Sequence, residues 1–300
     1  MSPARPKLDG VFPPVTTPFA ADGDVDAKAL AANIRKYNAA GLAGYVVVGS
    51  TGESVYLSEG EKLKVWEAAR GAADSGKVLI AGTGCESTAE TIELTRRAAA
   101  LGYQAALVRT PAYFKSQMTE AALERHYRAV ADASPIPVLV YSVPQFTGLG
   151  VSAALVVRLS THPNIAGLKE SSGDVRLIGE IARQAPPEFT VLVGSASAFY
   201  PALSEGARGA VLAVACALPE MCVELYEAWR RGDHARAQAL QQRLLEPAAA
   251  VTTRFGIAGL KHAMELRGYA GGPPRPPLLP LDAAARAEIT RIFRALESSE

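Results

Sequence analysis

The sequence predicts an α/β protein: a (β/α)8 TIM barrel carrying a C-terminal helical extension. Three observations carry that prediction. Short runs of β-branched and aliphatic residues recur about every thirty positions. Each is followed by a stretch of helical periodicity. The runs are continuously apolar rather than alternating, as expected of parallel strands covered on both faces. The clearest are Tyr45-Val46-Val47-Val48, Val78-Leu79-Ile80-Ala81, Ala105-Ala106-Leu107-Val108, Pro137-Val138-Leu139-Val140-Tyr141, residues 165–169, Thr190-Val191-Leu192-Val193 and Ala210-Val211-Leu212-Ala213. A weaker first run over residues 11–16 completes eight. Eight in series point to a closed barrel, with a doubly wound sheet as the alternative.

Helix-start signals fall where a βα repeat needs them. Ser58 with Glu61 and Ser87 with Glu90 have capping-box spacing and open the helices after strands two and three. Gly82-Thr83-Gly84 lacks the further glycine or Gly-Lys-Ser of a phosphate loop, so a tight turn before a capped helix is expected. Strand signals stop near Ala215, and helices are expected over residues 220–231, 234–250 and 254–267. The proline-rich stretch 271–277 cannot be helical and reads as an extended strap before a last helix over 282–296. The expected organisation is therefore a barrel over 1–214 carrying the active site and a helical extension over 215–300.

Composition excludes several function classes. Of 300 residues, 49% are hydrophobic and 20% charged, an ordinary globular balance, and a net charge of +1 offers no footprint for nucleic acid or an anionic membrane. The first seven residues lack the apolar core of a signal peptide, and the longest greasy stretch, 209–218, ends at Pro219, too short for a membrane span. A cytoplasmic location is expected. Cys85, Cys216 and Cys222 are odd in number and lack Cys-x-x-Cys spacing, so buried free thiols are expected. His126, His162, His234 and His262 are scattered without ligand spacing, and no metal is implied.

Catalytic residues of such a barrel lie at the carboxyl ends of its strands. Strand two ends in Gly49-Ser50-Thr51-Gly52-Glu53, strand four in Arg109-Thr110-Pro111-Ala112-Tyr113, strand five in Tyr141-Ser142-Val143-Pro144, strand six in Lys169 and strand seven in Gly194-Ser195-Ala196. Lys169 stands where the apolar run Ile165-Ala166-Gly167-Leu168 gives way to Glu170-Ser171-Ser172-Gly173-Asp174. Desolvation disfavours an ammonium and so favours the neutral, nucleophilic amine. A neutral lysine can add to a 2-keto acid and use the iminium as an electron sink for C–C chemistry. That chemistry needs a proton shuttle, for which Tyr141 is suited with Thr51 relaying, and donors for the carboxylate, which the 49–52 turn can supply. Glu170 should point away from Lys169 by strand alternation and is expected to be structural. Lys115, in a polar loop, is expected to be solvated.

Four motifs, Gly49-Ser50-Thr51-Gly52-Glu53, Thr110-Pro111-x-Tyr113, Tyr141-x-Val143-Pro144-x-x-Thr147-Gly148 and Gly167-Leu168-Lys169-Glu170-Ser171-x-Gly173-Asp174, together resemble the dihydrodipicolinate synthase and N-acetylneuraminate lyase superfamily. The resemblance spans nearly the whole chain in the same order. It implies a cofactor-free Schiff-base lyase acting on pyruvate and an aldehyde, with Lys169 as the Schiff-base lysine and Tyr141 as the proton shuttle. Thr51 and Tyr113 would be relay partners, Tyr113 reaching into a neighbouring subunit's site of a homo-oligomer built as a dimer of dimers. Ser50, Thr51, Gly52, Ser171, Gly194 and Val211 are expected to contact substrate.

Further stretches, Gly84-Cys85-Glu86-Ser87-Thr88, Tyr141-Ser142-Val143-Pro144, Glu246-Pro247-Ala248-Ala249-Ala250-Val251-Thr252 and Arg254-Phe255-Gly256-Ile257-x-Gly259-Leu260-Lys261, are most similar to 4-hydroxy-2-oxoglutarate aldolases. Those enzymes split their substrate into pyruvate and glyoxylate; the alternatives are a dihydrodipicolinate synthase or another keto-acid lyase or dehydratase of the superfamily and, from another class, a non-catalytic keto-acid-binding barrel. Dihydrodipicolinate synthases typically carry an arginine between Val-Pro and Thr-Gly, where this chain has Phe146; the aldolases tend to have asparagine there and at Thr51. Arg109, at a position usually apolar in the superfamily, is expected to ion-pair outside the barrel. The alternative is a grip on a second substrate carboxylate.

Overall fold

The structure is a computed structural model and describes residues 5–297. Its strands are β1 (Gly10–Phe12), β2 (Gly44–Val47), β3 (Val78–Gly82), β4 (Ala105–Arg109), β5 (Val138–Ser142), β6 (Ile165–Glu170), β7 (Thr190–Val193) and β8 (Gly209–Val211). They form one sheet in the order β1-β8-β7-β6-β5-β4-β3-β2. The sequential order, with the first strand beside the last, is that of a (β/α)8 barrel. A doubly wound sheet would reverse at an internal switch point. The pairings from β3 through β8 are parallel. Every residue of β2, β5, β6, β7 and β8 is buried, as continuous apolar runs require.

Four sequence expectations shift at their edges. The first strand closes at Phe12 because Pro13 and Pro14 have no N–H to give a ladder. Pairing beyond it persists only as an isolated bridge between Pro14 and Val46. Val48 was expected in β2 but adopts φ +61°, which no strand residue can hold. The last strand runs over Gly209–Val211 rather than 210–213, because the chain tightens into a 3-10 turn over Ala213–Cys216. Ser58 and Glu61 form a full capping box, whereas Ser87 accepts from Glu90 N without the reciprocal bond, so that cap is one-sided.

The described residues fall into two compact units. One takes residues up to Gly10 with Val78–Val211, and holds β3 to β8 with helices such as Thr88–Ala100 and Glu120–Ala133. The other takes Val11–Lys77 and the residues from Leu212 onward. Here the helices Pro219–Arg230, His234–Ala249, Gly256–Leu266 and Ala283–Glu297 follow one another. The third starts two residues later than expected. A π turn, Ala250–Arg254, follows Pro247, and Gly256 takes φ +56°. In the same unit Tyr37 OH donates to Cys216 O at 2.5 Å, which anchors the Ala27–Asn38 helix. Among the described residues no helix is long and apolar enough to cross a membrane.

Candidate active site

In the unit holding β3 to β8, Tyr141 and Lys169 are register partners on β5 and β6, so their side chains leave the same face of the sheet. Lys169 Nζ lies 4.1 Å from the centre of the Tyr141 ring, and each residue is only 5% exposed. The amine stands over the face of the phenol ring. Glu170, one residue on, is fully buried, and both its oxygens accept from Ser172 N at 3.0 Å. Desolvation pushes its carboxyl above the ordinary value against the pull of that amide. Its work is to shape the turn after β6, as strand alternation anticipates.

Ser171 and Gly194 meet at the ends of β6 and β7. Gly194 N donates to Glu170 O at 2.6 Å, and a Cβ at position 194 would collide with Ser171 Oγ. Only glycine lets the two strand ends close to this spacing. Ser171 Oγ and Thr110 Oγ1 are buried with no hydrogen-bond partner among the described residues, an arrangement native structures keep only for a reason. Val211, the last residue of β8, is 1% exposed.

Arg109 is the register partner of Tyr141, so it shares the face that carries Tyr141 and Lys169. The expected ion pair exists, but on this face at the carboxyl end of β4 rather than outside the barrel. Arg109 Nη1 lies 2.7 Å from Glu86 Oε1. Glu86 Oε2 accepts from Ala112 N at 2.7 Å and Tyr113 N at 2.8 Å. Against the upward push of desolvation, the Tyr113 amide, the Arg109 guanidinium and the Ala112 amide hold the Glu86 carboxyl below its ordinary value. Gly84 makes the approach possible, since a Cβ there would collide with Arg109 N. The Tyr113 ring itself is 80% exposed and meets Phe114 edge-on, centroids 5.1 Å apart. Lys115 is exposed.

In the other unit, Ser50, Thr51 and Gly52 form a single 3-10 turn closed by Gly52 N to Gly49 O and Glu53 N to Ser50 O, both 3.0 Å. The turn is bracketed by two non-glycine residues in the left-handed region, Val48 at φ +61° and Glu53 at φ +57°. Such conformations cost about 1–3 kcal/mol each and persist only where surroundings dictate them. Thr17 Oγ1 donates to Gly52 O at 2.7 Å, and a Cβ on Gly52 would approach Val15 O at 3.0 Å.

Sequence reasoning did not single out Glu53, Lys261 or Glu86. Glu53 and Lys261 form an ion pair of 2.6 Å with both side chains 1% exposed. Glu86 lay inside a recognised stretch, but its partner is twenty-three residues away, and only folding makes the pair. Among the described residues no three His, Cys, Asp or Glu side chains are grouped as metal ligands would be.

An eight-stranded parallel barrel with a buried lysine against a tyrosine at the ends of adjacent strands defines the class of lysine-bearing (β/α)8 lyases. The chain belongs to the dihydrodipicolinate synthetase family, whose sequence profile matches residues 7–296. It is 38% identical over 280 residues to a 4-hydroxy-tetrahydrodipicolinate synthase of Exiguobacterium sp., covering 93% of this chain and 95% of that one. It is also 38% identical over 306 residues to a protein of Emericella nidulans named "probable 4-hydroxy-2-oxoglutarate aldolase, mitochondrial", covering 98% and 99%. Among solved structures, YagE of E. coli K12, a dihydrodipicolinic acid synthase family protein in complex with pyruvate, superposes with a TM-score of 0.91 at 33% identity over 97% of this chain and 99% of that one. Dihydrodipicolinate synthase DapA-2 of Bacillus anthracis gives 0.92 at 28% identity, covering 96% and 98%.

Proposed function

We propose that this chain is a Schiff-base aldolase that cleaves 4-hydroxy-2-oxoglutarate to pyruvate and glyoxylate. The observation that carries the reading is the Lys169 amine, buried and 4.1 Å from the Tyr141 ring. The neutral amine adds to the C2 ketone, and the carbinolamine loses water to give an iminium. Deprotonation of the C4 hydroxyl then breaks the C3–C4 bond, releasing glyoxylate while the iminium takes the electron pair as an enamine. Protonation at C3 and hydrolysis release pyruvate and restore the lysine. Tyr141 carries protons to and from the carbinolamine, and the resemblance assigns Thr51 and Tyr113 to its relay. Ser50, Thr51 and Gly52 take the keto-acid carboxylate in this reading. The unpartnered Ser171 hydroxyl, against Gly194, is a further donor for substrate.

The choice of aldehyde rests on Phe146, 71% exposed on the short helix Pro144–Thr147, where the synthases typically place an arginine. A phenyl ring cannot grip the carboxylate of aspartate semialdehyde. A second reading, condensation of pyruvate with that semialdehyde, is favoured by the 38% identity to a named synthase. The homo-oligomer, a dimer of dimers, rests on the resemblance alone; Tyr113 and Phe114 are exposed, as residues reaching a neighbouring subunit would be, and sedimentation velocity tests the assembly.

Incubation with pyruvate and borohydride, followed by peptide mapping, tests the mechanism. A reduced adduct confined to Lys169 and absent from Lys169→Ala is expected; labelling elsewhere, or none, refutes it. A panel of 4-hydroxy-2-oxoglutarate, and of pyruvate with aspartate semialdehyde, tests the substrate.

A further inference from the structure

The turn at Ser50–Gly52 is held by a buried charge network that comes from the far end of the chain. Lys261 Nζ donates to Thr17 O at 2.9 Å and Pro273 O at 2.8 Å, and lies 2.6 Å from Glu53 Oε1. The other Glu53 oxygen accepts from Arg275 N at 2.8 Å. Arg275 in turn donates to Glu61 through both terminal nitrogens and to the carbonyls of Tyr56 and Gly23. Both cations lie against the Phe19 ring, its centre 4.5 Å from Lys261 Nζ and 4.3 Å from Arg275 Cζ. The strap fits without slack: a Cβ on Gly271 would collide with Lys261 O, and one on Gly272 would stand 2.7 Å from Phe19 O.

Burial pushes the Lys261 ammonium below its ordinary value against the opposing pull of Glu53. A buried pair of this kind is poor value as stabilisation, because hydrophobic residues of similar volume often do as well. Its contacts are geometric instead. They fix both oxygens of the one residue, Glu53, whose left-handed backbone ends the turn, while Thr17, itself gripped by Lys261 through its carbonyl, fixes Gly52.

We propose that Glu53, Lys261 and Arg275 are positioning residues for the carboxylate-binding turn, holding the left-handed Glu53 that ends Ser50–Gly52 from the last helices and the C-terminal strap. The inference rests on the proposed function, in which that turn takes the keto-acid carboxylate. It predicts that loosening the network weakens recognition of the carboxylate more than that of the ketone.

The test measures the half-saturating concentration for borohydride-trapped adduct with pyruvate and with methyl pyruvate, whose carboxylate is esterified. The variants are Glu53→Gln, Lys261→Met and the double variant E53Q/K261M, in which no unpaired charge is left buried; folding is followed by circular dichroism. At least a tenfold rise for pyruvate in the double variant, with less than a threefold change for methyl pyruvate, is expected. Glu53→Gln keeps an acceptor for Arg275 N but leaves the Lys261 ammonium buried without its carboxylate, so it folds less stably than the double variant, and where folded it shows a smaller rise for pyruvate alone. Equal changes for both ketones, or none, overturn the positioning role while leaving the Schiff-base reading intact. Absence of adduct in the unaltered protein sinks that reading itself, and the inference with it.

Discussion

Glu86 holds Tyr113 by its backbone: Oε2 accepts the Tyr113 amide at 2.8 Å while Oε1 pairs with Arg109 at 2.7 Å. The exposed ring is therefore presented on a loop whose first residues are fixed from two strands.

Glu86→Ala frees the Ala112 and Tyr113 amides together. If Tyr113 is a relay group, kcat should fall about tenfold to a hundredfold, the usual cost of a small misplacement. Arg109→Met should cause a weaker fall of the same kind, because Glu86 keeps both amides. A rise in KM with kcat held, specific to the dicarboxylate substrate, would instead assign Arg109 to substrate binding. Steady-state kinetics of both variants decide the matter.

Tyr141→Phe removes the phenol but keeps the ring beside Lys169 Nζ. Loss of a general acid–base group costs about 10²–10⁴ in kcat. The expected outcome is a kcat loss in that range with the borohydride adduct on Lys169 still forming slowly. Wild-type turnover would end the shuttle assignment.

Gly194→Ala drives a methyl into Ser171 Oγ and to 3.1 Å from Glu170 O. Overpacking of this kind costs about 1–3 kcal/mol. Thermal unfolding should show a lower Tm for the single variant and a partial return in S171A/G194A, since part of the collision is with the hydroxyl. An unchanged Tm would mean the strand ends separate freely.

His126 is buried on the Glu120–Ala133 helix, bonded to Thr88 at 2.9 Å, and desolvation pushes its imidazole down to about 4. The unfolded chain takes up this proton near pH 6.5. Its contribution to stability is thus complete above about pH 6.5 and is lost as pH falls toward 4, on the order of 3 kcal/mol at most. His126→Gln, which can still bond Thr88, should flatten the denaturant-measured stability profile between those limits. An unaltered slope would show that His126 is protonated in the fold.

The sheet was legible because its information is local. A parallel strand buried on both faces must be apolar throughout, so β3 to β7 could be placed within a residue or two, and Lys169 and Tyr141 stood out as polar groups ending such runs. The edges were less legible where backbone geometry overrides propensity. Val48 has every reason to be a strand residue except that the turn after it demands φ +61°.

By itself, then, the sequence determined the βα repeat, the lysine and tyrosine at adjacent strand ends, and the glycine turn after β2. Only the tertiary structure decided which charges neutralise one another. Glu53 finds Lys261, Glu86 finds Arg109 and Glu61 finds Arg275 across 208, 23 and 214 positions of chain. No periodicity encodes such pairs, because burial makes an ion depend on whichever opposite charge the completed fold brings within reach.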